Sequence, residues 1–410
     1  MSIDFIKTNF PLLKIVYRFF KSLQKTIKRG NKSSDSIENS ILITLDNYKN
    51  VFCGYYDHSP FCPIDENLIL LHATNATAFK SPNSKYKVDI CLVNIQTGKI
   101  VKKLGTTDSW NWQQGARANW IGSTEYIYNI YDKQSDSYKS VVGDINSSKQ
   151  KILPLSVQEY DNNGNIYSIS YEALAKHRPD YGYKNKKILQ EVLDNNAIIK
   201  YNIKAGEQNI LLQISQIRNF TLYTDGKKPI NDKFNHLLCS PSSKSIVFLY
   251  RYFINDLRYT DLYLLDLNKR TWKRLLANAG VSHYCWKDEN NLLFTGNINS
   301  VFGYYEIDIT TTEVNIVKEF EDGHPTISSE NEFITDSYSD SKGFRHLYHV
   351  DKNKKFIKVA SFIEPLLFQG ETRCDLHPSL STSKKYIQVD IALNSNKKAV
   401  AIIKNTMNEI

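Results

Sequence analysis

The sequence predicts an all-β fold, a seven-bladed β-propeller behind an N-terminal amphipathic helix. Three observations predict it. From about residue 41 onward, short apolar runs such as "NLILLHA", "DICLVNI", "EYIYNIY", "SIVFLYRY", "DLYLLDL" and "NLLFTGN" alternate with polar turns. One unit then recurs. With each histidine taken as position zero, His236, His283, His324 and His377 align without gaps, 47, 41 and 53 residues apart, which is the period of a four-stranded blade. Finally, helix signals are confined to residues 11–30 and a short stretch near 171–177.

The first element is "PLLKIVYRFFKSLQKTIKRG". Pro11 suits a first helical turn and Gly30 ends it. Leu12, Leu13, Ile15, Val16, Phe19, Phe20, Leu23 and Ile27 form its apolar side, with the basic residues mostly opposite. Lys14 and Arg18 interrupt the run, so it does not read as a spanning helix, and it lacks a signal-peptide order. Two readings stay open. The helix lies on an anionic membrane surface through residues 11–29, or it docks on the protein's own body or on a partner. "NKSSDSIENS" (31–40) reads as a linker, which divides the chain into 1–40 and a propeller at 41–410.

The repeats follow. Position +3 is apolar each time (Cys239, Trp286, Ile327, Leu380), +4 to +8 are turn-like, and +10 is aliphatic (Ile246, Leu293, Ile334, Ile387). His58 fits the template with Phe61 and Leu68; Arg117 fits less well with Trp120 and Ile127. The twin motifs "GHPTIS" and "LHPSLS" are thus one strand–turn–strand unit used again. Seven units result: 41–105, 106–154, 155–225, 226–277, 278–319, 320–366 and 367–405. In the third, "ALAKHRPDYGYKNKK" interrupts the pattern as a long loop. "ILITL" and "AVAIIK" offer two strands to close the ring.

Charge narrows the partners. Residues 1–33 carry +7 of the formal +9, so the body is near neutral at +2. A nucleic-acid binder needs a basic face on its folded body, and a near-neutral body argues against nucleic acid as a partner. The six cysteines show no CxxC spacing or tight framework and read as free thiols of a reducing compartment. The 26 tyrosines suit strands; sugar stacking is the functional alternative.

In a propeller, equivalent residues on successive inner strands meet around the axis. The alignment therefore gathers His58, Arg117, His236, His283, His324 and His377 at one end of the channel. Converging imidazoles can bind a divalent metal, move protons, or do both. Such a ring also suits a carboxylate, with Arg251, Arg373, Asp375, Gln113 and Gln114 nearby in the sequence pattern.

At "FNHLLCSPSSKSIVFLYR", "SHYCWKDENNLLF", "DGHPTISSENEFITDSY" and "RCDLHPSLSTSKKYIQVD" the sequence resembles the oligogalacturonate lyase group of TolB-like β-propellers. The likeness covers roughly 230–390, with "GYYDHSPF" and "WNWQQGARANW" weaker. It also looks like propeller proteins encoded among bacterial surface-polysaccharide genes. The resemblance implies manganese held by histidines and a glutamine, and β-elimination on an anionic uronic-acid polymer. Carried over by order and spacing, it makes His283 the base and Arg251 the carboxylate partner; His236, in phase with them, is read as a further catalytic histidine. His324 and His377 become metal ligands. His58, Arg117, Arg373 and Gln114 are left to bind substrate. The family's Gln-x-x-His-x-His pattern is replaced here by "TRCDLH", so Thr372 stands for Gln and Asp375 for the first His. Asp375 can still ligate, because carboxylate oxygen suits manganese; His236 or His58 could fill the gap.

Three functions follow. A lyase acting on an acidic polysaccharide or a lipid-linked glycan uses all these features, in a cytoplasmic protein peripheral to the inner membrane. A glycosyltransferase or assembly factor of surface-polysaccharide synthesis lacks a Gly-rich phosphate loop after a strand. A non-catalytic scaffold has no need of five in-phase imidazoles.

Overall fold

The structure is a computed structural model that describes residues 11–30, 40–226 and 228–406. Its body is seven antiparallel sheets, each with four strands in sequence order around the ring. The inner strands are Asn50–Phe52, Asn119–Trp120, Glu159–Tyr160, Ile230–Cys239, Tyr284–Trp286, Thr326–Ser329 and Ser379–Leu380. The first sheet carries an extra pair, Phe61–Cys62, on its second strand.

Ring closure corrects the first unit's boundary. Ser40–Ile43 leaves blade 1 and forms the outer strand of blade 7, pairing Ser40 with Ile403 and Ile43 with Val400. The remainder of the proposed linker, residues 31–39, lies outside the described residues.

The core follows the same sevenfold order. Buried apolar residues fall into seven clusters, one at each blade interface. Alternation along each strand produces this, since both faces of every sheet meet a neighbouring blade. Tyrosine is used mainly here. Tyr167, Tyr171, Tyr250, Tyr263 and Tyr304 are fully buried, so packing accounts for much of its abundance. All six cysteines are free.

Four α-helices are present among the described residues: α1 (Pro11–Arg29), α2 (Tyr171–His177), α3 (Gln190–Asp194) and α4 (Ile214–Asp225). The sequence pattern anticipates α1 and α2 but not α3 and α4. Helix α4 starts with a Gln213–Gln216 capping box and ends at Gly226 in the left-handed region. Its Ile, Phe, Thr and Tyr content favours strands, which hides it from a propensity reading. No described helix is long and apolar enough to cross a membrane. The interrupting segment of blade 3 is α2 and the loop after it. That loop reaches the axis, where Tyr181 packs edge-on against Tyr55 at 5.8 Å.

Candidate functional site

Position zero of the repeats lies at the inner edge of each sheet. Three of these residues hold a left-handed backbone: Arg117 (φ 53°), His236 (φ 53°) and His377 (φ 47°). Each costs about 1–2 kcal/mol for a residue with a Cβ, a strain seen at functional sites. In blade 3 the equivalent residue is Val157, because Tyr160 pairs with Ile166 as Trp120 pairs with Tyr126.

Four histidines converge. The rings of His283 and His324 are 3.9 Å apart by centroid, and those of His324 and His377 are 4.4 Å apart. His236 stacks on Tyr284 at 4.3 Å. Tyr55 and Tyr56, from "GYYDHSPF", stand between them. Tyr56 lies 5.6, 6.0, 5.1 and 6.3 Å from His236, His283, His324 and His377. Both ring nitrogens of His236 and the Nε2 atoms of His324 and His377 are buried without a hydrogen-bond partner among the described residues.

The sequence reading missed the groups that orient these rings. Asp336 accepts from the Nδ1 of His324 at 2.8 Å and from its backbone N–H at 2.8 Å. It also accepts the backbone N–H groups of Leu376 and His377, at 3.1 and 3.2 Å. Burial alone would depress His324; the Asp336 carboxylate outweighs it and holds the imidazole above its usual value. Asp322 faces the Nδ1 of His283 at 3.2 Å, yet burial and then the His324 charge push His283 down to about 4. Asp336 lies at +12 from His324, and Thr295, which accepts the N–H of His283, lies at +12 from His283. Extending the repeat alignment by two residues exposes both. Gly323 is required beside them, since a Cβ there would meet the Asp336 carbonyl at 2.0 Å.

The three residues read as metal ligands come together. His324, Asp375 and His377 are buried and place one ligand atom each within 4.8 Å of one another. Two of those donors are unpartnered imidazole nitrogens, and the third is a carboxylate, so the set fits a divalent cation. Asp375 is also held by Arg373 at 2.6 Å and Arg345 at 2.8 Å. Burial raises its proton affinity, but these two guanidinium groups hold its carboxyl well below the usual range. Thr372, in the glutamine's place, turns back to the Gln369 carbonyl at 3.0 Å.

His58 and Arg117 stand apart from this cluster. His58 Nε2 bonds both Glu159 oxygens at 3.0 Å, and its Nδ1 faces the Tyr160 hydroxyl at 3.1 Å. Arg117 bonds Asp57 at 2.8 and 3.0 Å and the Gln158 carbonyl at 2.6 Å. Its hydrogen bonding is therefore directed inward. Asp57, His58 and Glu159 form a second group with cation-ligand spacing. Gln114 is buried with its side-chain oxygen unpartnered.

Arg251 and Arg373 line a cleft of about 770 Å³, which Arg373 connects to Asp375. Nine lysines and arginines line it against three carboxylates. Asp180, from the blade 3 loop, bonds Arg373 at 2.7 Å. Among the described residues the Arg251 side chain donates only to the Val281 and Ser282 carbonyls, at 3.3 and 3.2 Å, and its Nε has no partner. Burial and then the nearby Arg178 charge push it down to about 10.

No protein-family model and no curated protein matches the sequence. Solved structures do. A manganese complex of an oligogalacturonate lyase superposes with a TM-score of 0.63 at 15% identity, covering 91% of this chain and 95% of that one. An oligogalacturonate lyase from Vibrio parahaemolyticus gives 0.61 at 14% identity, with the same 91% and 95% coverage. The tricorn protease gives 0.51 at 12% identity, covering 89% of this chain but 34% of its own length. The chain thus has the seven-bladed propeller fold of the oligogalacturonate lyases, and a segment of a peptidase shares that architecture.

Proposed function

We propose that the protein is a carbohydrate-active enzyme acting on an acidic, uronic-acid-containing glycan by metal-assisted β-elimination. The observation that carries this reading is the buried His324–Asp375–His377 group, with unpartnered Nε2 atoms, beside a cleft rich in arginine. A manganese ion held there would draw charge from the uronate carboxylate and make the C5 proton more acidic. Arg251, free of acidic partners among the described residues, holds the carboxylate. His283 is neutral near pH 7 and its ring is fixed by Asp322, so it takes the C5 proton. The C4–O bond then breaks, a C4–C5 double bond forms, and the leaving oxygen takes up a proton. His236 packs against Tyr55 and Tyr56 at 5.1 and 5.6 Å, beside the base.

Glycosyl transfer or a non-catalytic assembly role is the second reading. One observation favours it: Asp375 already holds two arginines, so its charge is balanced without a metal.

The test combines metal analysis with ultraviolet detection of the unsaturated uronide. His324→Ala and His377→Ala are expected to lose manganese and activity while keeping the wild-type circular dichroism. Asp336→Asn, which leaves His324 poorly oriented, is expected to weaken manganese binding about 10- to 100-fold. Full activity in both histidine variants would overturn the site. Turnover of a uronic-acid glycan without the unsaturated product would favour the second reading.

A further inference from the structure

Helix α1 docks the opposite way from an ordinary surface helix. Ser22 donates to the Leu366 carbonyl at 3.2 Å, Lys25 to the Ser339 carbonyl at 2.8 Å, and Arg29 to the Glu364 carbonyl at 3.4 Å. Arg18 joins them over Gly370. Residues 18, 22, 25 and 29 share one helical face. Phe20, Leu23 and Ile27 lie on the opposite face; Phe20 is 58% exposed and Ile27 71% exposed. The polar face grips the propeller, and Phe20 and Ile27 point away from it, with Leu23 half-buried between them.

The gripping face is also a wall of the basic cleft, to which it contributes Arg18, Lys21 and Lys25. Opposite them stand Lys233, Arg251 and Arg258, none with an acidic partner within ion-pair distance among the described residues. Lys233 is buried and, among the described residues, its ammonium donates only to the Asn231 carbonyl at 3.1 Å. Burial and then its neighbours Arg251 and Arg178 push it down to about 7. One carboxylate cannot balance three such cations. A phosphate or diphosphate, with several anionic oxygens on one small group, can.

We infer that this cleft binds the phosphate or diphosphate group of a membrane-anchored lipid, with α1 seated in the membrane surface by Phe20, Leu23 and Ile27. The two halves of the site support each other. The apolar face of one short helix adsorbs only weakly, and a polybasic patch alone is salt-sensitive; together they give stable attachment. The helix would thus hold the mouth of the cleft at the membrane surface, where a lipid-borne anion arrives. The inference shares Arg251 with the elimination reading, but the residues that test it, Phe20, Ile27, Lys233 and Arg258, are not members of the metal-ligand group.

The full-length protein is sedimented with phosphatidylcholine vesicles with and without a prenyl diphosphate, and free pyrophosphate binding is measured by calorimetry. Expected is at least about tenfold tighter binding to the diphosphate-bearing vesicles, reversed by pyrophosphate. Lys233→Met combined with Arg258→Ser is expected to lose that gain and to weaken pyrophosphate binding about tenfold. Phe20→Asp combined with Ile27→Asp is expected to lose vesicle binding yet bind pyrophosphate like the wild type. Manganese content stays unchanged in both, which separates this inference from the metal-site reading. Equal binding to both vesicle types, or wild-type pyrophosphate affinity in the Lys233/Arg258 variant, overturns the cleft. Full vesicle retention by the Phe20/Ile27 variant overturns the seat.

Discussion

His72 shows how much of this molecule turns on a single ring's protonation. It stacks on Phe52 at 5.0 Å, and its Nε2 accepts the backbone N–H of Ala116 at 3.0 Å. Gly115 lies against it so closely that a Cβ there would fall 2.2 Å from the ring. Burial pushes His72 down to about 4. Its folded value is therefore below the unfolded one near 6.5, so the unfolded chain takes up the proton first as pH falls. The stability from the neutral ring is complete above pH 6.5 and is lost as pH drops through about 4. Thermal melts across that range should fall steeply. His72→Gln, which keeps an acceptor but cannot titrate, should melt lower at pH 7 and lose less on acidification. An equal acid loss in the variant would remove His72 as a cause. This histidine is out of phase with the repeat, and nothing in the sequence marks it. The in-phase histidines were legible because the alignment fixed their position. Of their partners, Asp336 sits at +12, two residues beyond the aligned positions, while Asp322 lies in the loop before the next inner strand, where the repeat gives no signal.

Legibility differs again at the level of elements. Strands were readable because alternation and turn residues recur at one period, and α1 because its pattern is strongly amphipathic. The side on which α1 docks was not readable. Amphipathicity predicts that an apolar face is buried somewhere; it does not say whether in protein or in lipid. Here the docking contacts are hydrogen bonds to carbonyls, a distant Lys25–Glu364 pair at 4.0 Å, and Arg29 above the Phe344 ring at 6.0 Å. Partly exposed contacts of this kind contribute about 0.5–1 kcal/mol each at most. Deleting residues 1–33 should therefore lower the melting temperature by only a few degrees, while the protein no longer binds anionic vesicles. Unchanged vesicle binding would refute the membrane role of the helix. A collapse in stability would show that α1 is instead part of the folded core.

Across the whole molecule the decisive contact is the seam between blades 7 and 1. Bringing Ser40–Ile43 to Lys398–Lys404 closes a loop of about 360 residues, which costs about 5 kcal/mol of chain entropy. Opposing this are the ladder itself and the burial of Ile43 with Val51, Phe61, Val400 and Ile402. The seam also bears on the candidate site. Asp390 of blade 7 accepts the N–H groups of Cys53 and Gly54 at 2.8 and 2.9 Å. Those residues lead directly into Tyr55 and Tyr56, which pack against the histidines. Opening the ring should thus loosen the cluster as well as the fold. A chain starting at residue 44 leaves Lys398–Lys404 as an unpaired, apolar edge, a template for aggregation. It should melt at a lower temperature, over a broader range, and bind manganese more weakly than the chain lacking only residues 1–33. If the two truncated proteins melt alike and hold metal alike, closure by the N-terminal strand does not organise the site.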